Sequence, residues 1–190
     1  MRPANVKVLG AFGALLFGAV AALAGNAPQA VLPQGSDAAI AKEVRHEIAL
    51  YPHYTIFDDI KFQVNQGRVA LEGAVTQPYK KSELGKIVAA VPGVTSVVND
   101  LKVLPLSSMD DRLRMQVARA IYRDPSLSTL AFQALPPIHI IVENGHVTLE
   151  GVVNNSMQKQ IAGMRANSAG LSFGMVTNNL RVENPSPKKG

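Results

Sequence analysis

The chain shows one order of hydrophobic patterns twice. Each copy begins with apolar residues that recur at every fourth position up to a proline, and this spacing places them on one face of a helix. The positions are Ile40, Val44 and Ile48 before Pro52 in the first copy, and Leu113, Val117 and Ile121 before Pro125 in the second. Asp37 and Asp110 stand at the starts of these segments, where we expect their side chains to cap the helices.

Alternating apolar and polar residues follow each helix and predict a β-hairpin. The alternation reverses at Gln66-Gly67 in the first copy and at Asn144-Gly145 in the second. Asn-Gly is a typical two-residue hairpin loop. A loop of this length places Val64 opposite Val69, so the apolar residues of both strands share one face. The second copy gives the same register.

A second helix and a last strand complete each copy. The helices are predicted over Pro78–Val91 and Ser156–Ser168, with Gly85 and Gly163 at matching positions. Glycine costs about 1 kcal/mol inside a helix, so we expect the backbone to pack closely against the sheet there. The order predicts an α+β fold of two tandem αββαβ modules, each a three-stranded mixed sheet with two helices packed on one face.

The first 24 residues have the three parts of a secretory signal peptide. Arg2 and Lys7 precede an apolar run that begins at Val8, and Ala22–Ala24 forms an Ala-x-Ala cleavage site. We expect cleavage after Ala24 and export to the periplasm. Retention of this segment as an uncleaved membrane anchor is the alternative.

The repeat is also visible in the residues themselves and sets the domain boundaries. Gly67–Val75 recurs as Gly145–Val153, and Val97–Val103 recurs as Val176–Val182. Matching blocks in the same order indicate a duplicated module. The chain therefore divides into a signal peptide (1–24), a linker (25–36), module 1 (37–104), a second linker (105–109), module 2 (110–183) and a disordered tail (184–190).

The composition excludes several kinds of chemistry. The chain contains no cysteine, which excludes disulfides, thiolate metal sites and lipidation at a cysteine. Aromatic residues make up 5% and tryptophan is absent, so a surface for single-stranded nucleic acid would lack stacking platforms. We therefore expect no nucleic-acid partner.

The repeated blocks G-x-V-x-L-x-G-x-V and V-P-G-V-x-x-V-V-N-D-L-x-V resemble the BON domain of bacterial envelope proteins. Two copies behind a signal peptide resemble the tandem-BON periplasmic proteins of the osmotically induced type. The second copy departs from the first at Ser172-Phe173, which replaces Gly93-Val94, and it carries five more residues around Leu127–Pro137. The structural positions that match the family pattern are Gly67, Gly73, Gly93, Asn99, Gly145, Gly151 and Asn178.

The resemblance implies binding to envelope phospholipid, or chaperone-like protection of exported proteins. It implies no catalysis and no cofactor. Two function hypotheses follow. The first is a non-enzymatic protein that binds anionic phospholipid at the membrane surface, and the second is a periplasmic chaperone or scaffold that holds unfolded exported proteins.

The helix predicted from Asp110 to Arg123 carries the candidate binding site. Arg112, Arg119 and Arg123 fall within about 40° of one another, opposite the apolar stripe of the helix. An arginine stripe suits lipid phosphates, although a solvated helix face is the plain alternative.

The insertion from Leu127 to Leu135 is unusually apolar for a loop. We expect it to cover the sheet edge, to pack between the modules, or to present an exposed patch to a membrane or a client. With the arginines, its residues Leu127, Leu130 and Phe132 form the predicted lipid-binding set.

Two apparent chemical motifs do not fit their structural context. Gly170–Gly174 matches G-x-S-x-G, but that motif needs a strand before the serine, a helix after it and a downstream histidine. The outer face of the second hairpin is predicted to carry two solvated cross-strand pairs, which are His139 with Glu150 and Glu143 with His146. The two pairs lie about 13 Å apart along the strands, which is too far for both to bind one metal ion. We predict neither an active site nor a metal site.

Overall fold

The structure is a computed structural model that describes residues 35–169 and 175–183. The described residues fall in one compact unit. Module 1 consists of α1 (Asp37–Leu50), β1 (Asp59–Asn65), β2 (Arg68–Val75), α2 (Pro78–Ala89), β3 (Ser96–Asn99) and β4 (Lys102–Val103). Module 2 consists of α3 (Ser108–Tyr122), a short 3-10 helix (Ser128–Phe132), β5 (Ile138–Glu143), β6 (His146–Val153), α4 (Ser156–Ala169), β7 (Val176–Asn178) and β8 (Arg181–Val182).

The predicted α+β fold of two tandem αββαβ modules is confirmed. In each module a hairpin pairs antiparallel, and the last strand segments pair parallel to the second hairpin strand. The predicted signal peptide, the linker up to residue 34 and the predicted tail lie outside the described residues. Within the described ranges, no helix is long and apolar enough to cross a membrane.

Serines, and not the predicted aspartates, cap the first helix of each module. Ser36 Oγ accepts a hydrogen bond from Ala39 N, and Ser107 Oγ accepts one from Asp110 N. The prediction for Asp37 and Asp110 was therefore wrong. Both aspartates lie in the first turn of their helices, and their carboxylates reach across to the hairpin loops instead.

These two carboxylates tie each first helix to its hairpin. Asp37 accepts hydrogen bonds from the N–H groups of the Gln66-Gly67 loop at 2.7 and 2.9 Å. Asp110 accepts from the N–H groups of Asn144-Gly145 at 3.0 and 2.8 Å. All four loop residues have positive φ, as a type I′ turn requires. The turn thus exposes two donors on one side, and a carboxylate satisfies both.

The hairpin register agrees with the sequence prediction in both copies. Val64 pairs with Val69 in module 1, and Val142 pairs with Val147 in module 2. The apolar side chains of each hairpin face the helices and form one hydrophobic core per module. Leu113, which the spacing placed in the buried helix stripe, is only partly buried, while its neighbour Arg114 is 4% exposed.

The last strand of each module is interrupted, so the sheet contains four strand segments where three strands were predicted. The interruption follows Asn99 in module 1 and Asn178 in module 2. Asn99 Oδ1 accepts a hydrogen bond from Leu101 N, and Asn99 Nδ2 donates to the carbonyl of Lys81 in α2. The Asn178 side chain makes the same two bonds in module 2. Each asparagine therefore fixes a bulge and ties it to the second helix.

The two modules contact each other through the segment before β1. Ile140 N of β5 donates a hydrogen bond to the carbonyl of Ile56 at 2.7 Å, and Ile56 and Phe57 pack against the core of module 2. His139 Nδ1 lies 2.6 Å from the carbonyl oxygen of Asp58, and the His139 ring stacks on Tyr54. The edge of the second sheet is thus covered by module 1.

A buried ion pair holds this contact segment in place. Asp58 is fully buried and accepts hydrogen bonds from Lys80 Nζ at 2.6 Å, from Thr76 N at 2.8 Å and from Thr55 N at 3.0 Å. Burial raises the pKa of Asp58, but these hydrogen bonds outweigh it and keep the pKa below its ordinary value. The carboxylate stays charged, and the segment that docks on module 2 is anchored to α2.

Candidate functional site

The arginine stripe predicted on the first helix of module 2 is on the surface of α3. Arg112, Arg119 and Arg123 are exposed, opposite the buried Val117 and Ile121. The Nε group of Arg112 donates to the carbonyl of Ser108 one turn earlier. No ion pair among residues 35–169 and 175–183 includes any of the three arginines.

The acidic residues nearest to this stripe are paired elsewhere. Asp111 pairs with the buried Arg114. Asp124 pairs with Arg165 at 2.7 Å. A hydrogen bond from the Ser126 N–H and the pair with Arg165 hold the pKa of Asp124 below its ordinary value. The positive charge of the stripe is therefore not neutralised by these carboxylates.

Exposed methionines accompany the arginines, a feature that the sequence reasoning missed. Met115 on α3 is 44% exposed, and Met157 and Met164 on α4 are 66% and 62% exposed. The two helices pack against each other on one face of the sheet, so their outer sides form one layer. The sequence signal was available, because all methionines after Met1 lie between positions 109 and 175.

Helix α4 adds no acidic side chain to this surface. Of its two basic residues, Lys159 and Arg165, Arg165 pairs with Asp124. Basic side chains combined with flexible apolar ones are typical of surfaces that lie on an anionic membrane interface. We call the outer side of α3 and α4, with its arginines and methionines, the basic methionine layer.

The apolar insertion only partly forms the predicted patch. Leu127 is fully buried and Leu130 is 3% exposed, because the 3-10 helix turns both side chains into the core of module 2. Their assignment to the lipid-binding set is corrected. Phe132, at the end of the same short helix, is 88% exposed.

The outer face of the second hairpin does not consist of two solvated pairs. The register is as predicted, with His139 opposite Glu150 and Glu143 opposite His146. His139 is nevertheless only 7% exposed, because module 1 covers it, so the prediction of a solvated His139 was wrong.

Neither apparent chemical motif gains support from the structure. No cluster of histidine and carboxylate side chains in the described part of the chain can hold a metal ion. Gly170–Gly174 lies outside the described residues. It follows the helix that ends at Ala169 and precedes the strand that begins at Val176, which is the reverse of the order that a nucleophile elbow needs.

The repeated fold, with its glycine turns and paired asparagines, defines a tandem two-module protein of the α+β class. A family model of the BON domain matches residues 36–105 and again residues 109–184. The chain therefore belongs to the BON-domain family and contains two copies of the domain.

Comparison with other proteins adds two distant structural likenesses. The chain is similar to CdsD, a structural protein of the type III secretion system of Chlamydia trachomatis, with 18% identity, a TM-score of 0.28, and coverage of 78% of this chain and 93% of that one. A structure of the CdsD C-terminal domain gives 16% identity, a TM-score of 0.26, and coverage of 75% and 96%. No curated protein matches the chain.

Proposed function

We propose that the protein is a non-enzymatic envelope protein that binds anionic phospholipid through the basic methionine layer of module 2. The observation that carries the proposal is the exposed stripe of Arg112, Arg119 and Arg123, whose nearest acidic neighbours are paired elsewhere. Membership in the BON family, whose domains bind phospholipid, supports it. The proposed location is the periplasm, on the expectation that residues 1–24 direct export.

The expected binding free energies favour a reversible, peripheral association with the membrane. Each basic residue close to an anionic surface contributes about 1 kcal/mol, so the three arginines alone give weak binding. Met115, Met157 and Met164 add apolar side chains that can enter the headgroup region. Because the arginine contribution is electrostatic, the binding is expected to weaken as salt rises.

Co-sedimentation with liposomes tests the proposal. We expect the mature chain to bind vesicles that contain phosphatidylglycerol at low salt, to bind less at high salt, and not to bind vesicles of phosphatidylcholine alone. The triple variant Arg112→Gln, Arg119→Gln, Arg123→Gln should lose most of the binding. The matched control removes three exposed charges from module 1, as Lys42→Gln, Arg68→Gln and Lys86→Gln, and should retain it.

A periplasmic chaperone or scaffold is the second candidate, favoured by the exposed methionines. Methionine side chains adapt to many apolar partners, so the same layer suits unfolded exported proteins. A chaperone should suppress aggregation of an unfolded client without lipid. It should tolerate the triple arginine variant and fail when Met115, Met157 and Met164 are changed to serine. If the arginine variant binds anionic vesicles as the wild type does, the lipid proposal is wrong.

A further inference from the structure

The two modules differ at the edge of the sheet, although the apolar positions of the first hairpin strand correspond in both. Five positions line the groove between the first helix and the first hairpin strand. In module 2 all five are buried; they are Arg114, Ala118, Ile138, Ile140 and Val142. In module 1 the matching positions are half-buried or exposed; they are Ala41, Arg45, Ile60, Phe62 and Val64. One copy of the groove is closed and the other is open.

The closed groove shows what kind of segment fits. In module 2, Ile56 and Phe57 from module 1 pack against the core, and the Ile56 carbonyl accepts the outward N–H of Ile140 at 2.7 Å. Arg114 donates to the outward carbonyl of Val142 at 2.7 Å. The edge strand β5 thus has apolar cover and partners for its outward backbone groups.

The open groove of module 1 lacks this apolar cover and these backbone partners. β1 is the outer strand of its sheet, and no backbone group of residues 35–169 or 175–183 bonds the outward N–H of Phe62. A cavity of about 800 Å³ runs along this strand. Ala41 of α1 and Ile60, Phe62 and Val64 line its apolar side, and charged and polar residues of both modules, among them Arg45, Lys61 and Glu150, line the rest. An uncovered edge strand with apolar side chains is a template for pairing with another chain.

Module 2 carries a loop at the same place in the fold as the closing segment of module 1. Ile56 and Phe57 lie between the first helix and the first hairpin strand of module 1. The corresponding loop of module 2 is longer and presents Phe132, which is 88% exposed. It contains no charged residue from Leu127 to Pro137, so no charge on the loop opposes its packing on the apolar side of the groove.

We propose that the Phe132 loop of one copy of this chain docks in the β1 groove of a second copy. The contact covers the edge strand of module 1 between molecules, as Ile56 and Phe57 cover the edge strand of module 2 within a molecule. If each copy supplies both a loop and a groove, two such contacts close a twofold dimer. This inference is independent of the lipid proposal, since neither Phe132 nor the β1 groove is part of the basic methionine layer on α3 and α4.

Sedimentation velocity of the mature chain without lipid tests the inference. We expect concentration-dependent self-association of the wild type. Phe132→Ser removes the inserted side chain, and Ala41→Glu places a carboxylate in the groove where it can still pair with Arg45 on α1. Each variant should weaken association about tenfold or more, as expected for a central apolar anchor. Melting curves should be close to that of the wild type, because neither position is buried.

A mixture of Phe132→Ser and Ala41→Glu tests directly whether the loop of one molecule binds the groove of another. Phe132→Ser retains an intact groove and Ala41→Glu retains an intact loop, so an equimolar mixture restores one contact and should associate more strongly than either variant alone. Leu106→Ser is the control for removal of another highly exposed apolar side chain, and it should leave association unchanged. A wild type that stays monomeric at every concentration, or variants that associate like the wild type, would overturn the inference. Loss of lipid binding has no bearing on this result.

Discussion

A single side-chain contact explains the glycine in the second helix of each module. A Cβ atom at Gly85 would lie 2.8 Å from Asn99 Nδ2, and one at Gly163 would lie 2.7 Å from Asn178 Nδ2. Both asparagines use that nitrogen to donate to a carbonyl of the same helix. The helix therefore contains glycine because the asparagine that fixes the strand bulge occupies the space of a side chain.

Gly85→Ala should destabilise the protein, although alanine is the better helix former. The gain in helix propensity is about 1 kcal/mol. Displacing the Asn99 amide leaves part-buried polar groups without partners, at about 1–3 kcal/mol each, and this loss is larger. Urea unfolding should show a net loss of stability, whereas Ser82→Ala at an exposed position of the same helix should show none.

The double variant separates the clash from other effects of the substitution. In the Asn99→Ala background the side chain that Gly85 accommodates is gone. Gly85→Ala should then be neutral or stabilising, so the two changes couple strongly. Additive effects would show that the contact between Gly85 and Asn99 is not the cause.

At the level of elements, each first helix is joined to its hairpin by a carboxylate. Asp37 and Asp110 bind two consecutive N–H groups of a turn whose geometry leaves both donors pointing outward. The two strands of each hairpin also pair with each other without the carboxylate. The carboxylate therefore joins the helix to the sheet and is not what forms the hairpin. Asp110 is 1% exposed whereas Asp37 is partly exposed, so water can replace the lost carboxylate less readily in module 2.

Asp110→Ala should cost more stability than Asp37→Ala. Each loop N–H group left without an acceptor costs up to about 1–3 kcal/mol, the value for a fully buried group, because these groups are only partly buried. We expect both losses in chemical denaturation, and we expect the amide protons of Gly145 and Gly67 to exchange faster in the respective variants. Glu43→Ala, which removes an exposed acid from α1, is the control. Unchanged exchange at Gly145 in Asp110→Ala would contradict the assigned role of the carboxylate.

The sequence predicted those elements whose pattern is set within one hairpin or helix. The register of Val64 with Val69 follows from the parity of apolar residues and the length of the loop. The burial of Arg114 could not be predicted, because on a helical wheel it is an arginine beside an apolar stripe. Its position depends on the outward carbonyl of Val142, a group that exists only once the sheet is formed.

The assignment of Leu127 and Leu130 to the predicted site was wrong for a related reason. Leu127 and Leu130 were assigned to the lipid-binding set, but a 3-10 helix turns both side chains into the core, and so short an element has no periodic pattern in the sequence. The arginine stripe was visible because helical spacing alone determines it. The methionines were not recognised as a surface, since methionine at helical spacing usually belongs to a core.

At the level of the whole molecule, His139 lies where the two modules meet. It faces the Asp58 carbonyl, the ring of Tyr54 and, across the strand pair, Glu150. Burial lowers the pKa of His139 below its ordinary value of 6.5, while the Asp58 carbonyl and the charges of Asp58 and Asp59 partly oppose this change. Because a carbonyl accepts from Nδ1, that nitrogen carries the proton in the neutral ring.

The sign of the pH dependence follows from the direction of this pKa change. The unfolded chain takes up a proton on His139 near pH 6.5, whereas the folded chain does so only at lower pH. Between these values the unfolded state binds more protons, so stability falls as pH falls. The stability is fully present above pH 6.5 and is lost progressively below it, where protonation forces a charge into the contact between the modules.

His139→Asn should reduce this acid sensitivity. The asparagine amide can donate to the Asp58 carbonyl in place of Nδ1 but does not titrate in this range. Melting temperatures measured from pH 8 to pH 5 should fall more steeply in the wild type than in His139→Asn. His146→Asn, at an exposed position of the same hairpin, should follow the wild type. Parallel pH profiles of the wild type and His139→Asn would show that the contact between the modules does not respond to this histidine.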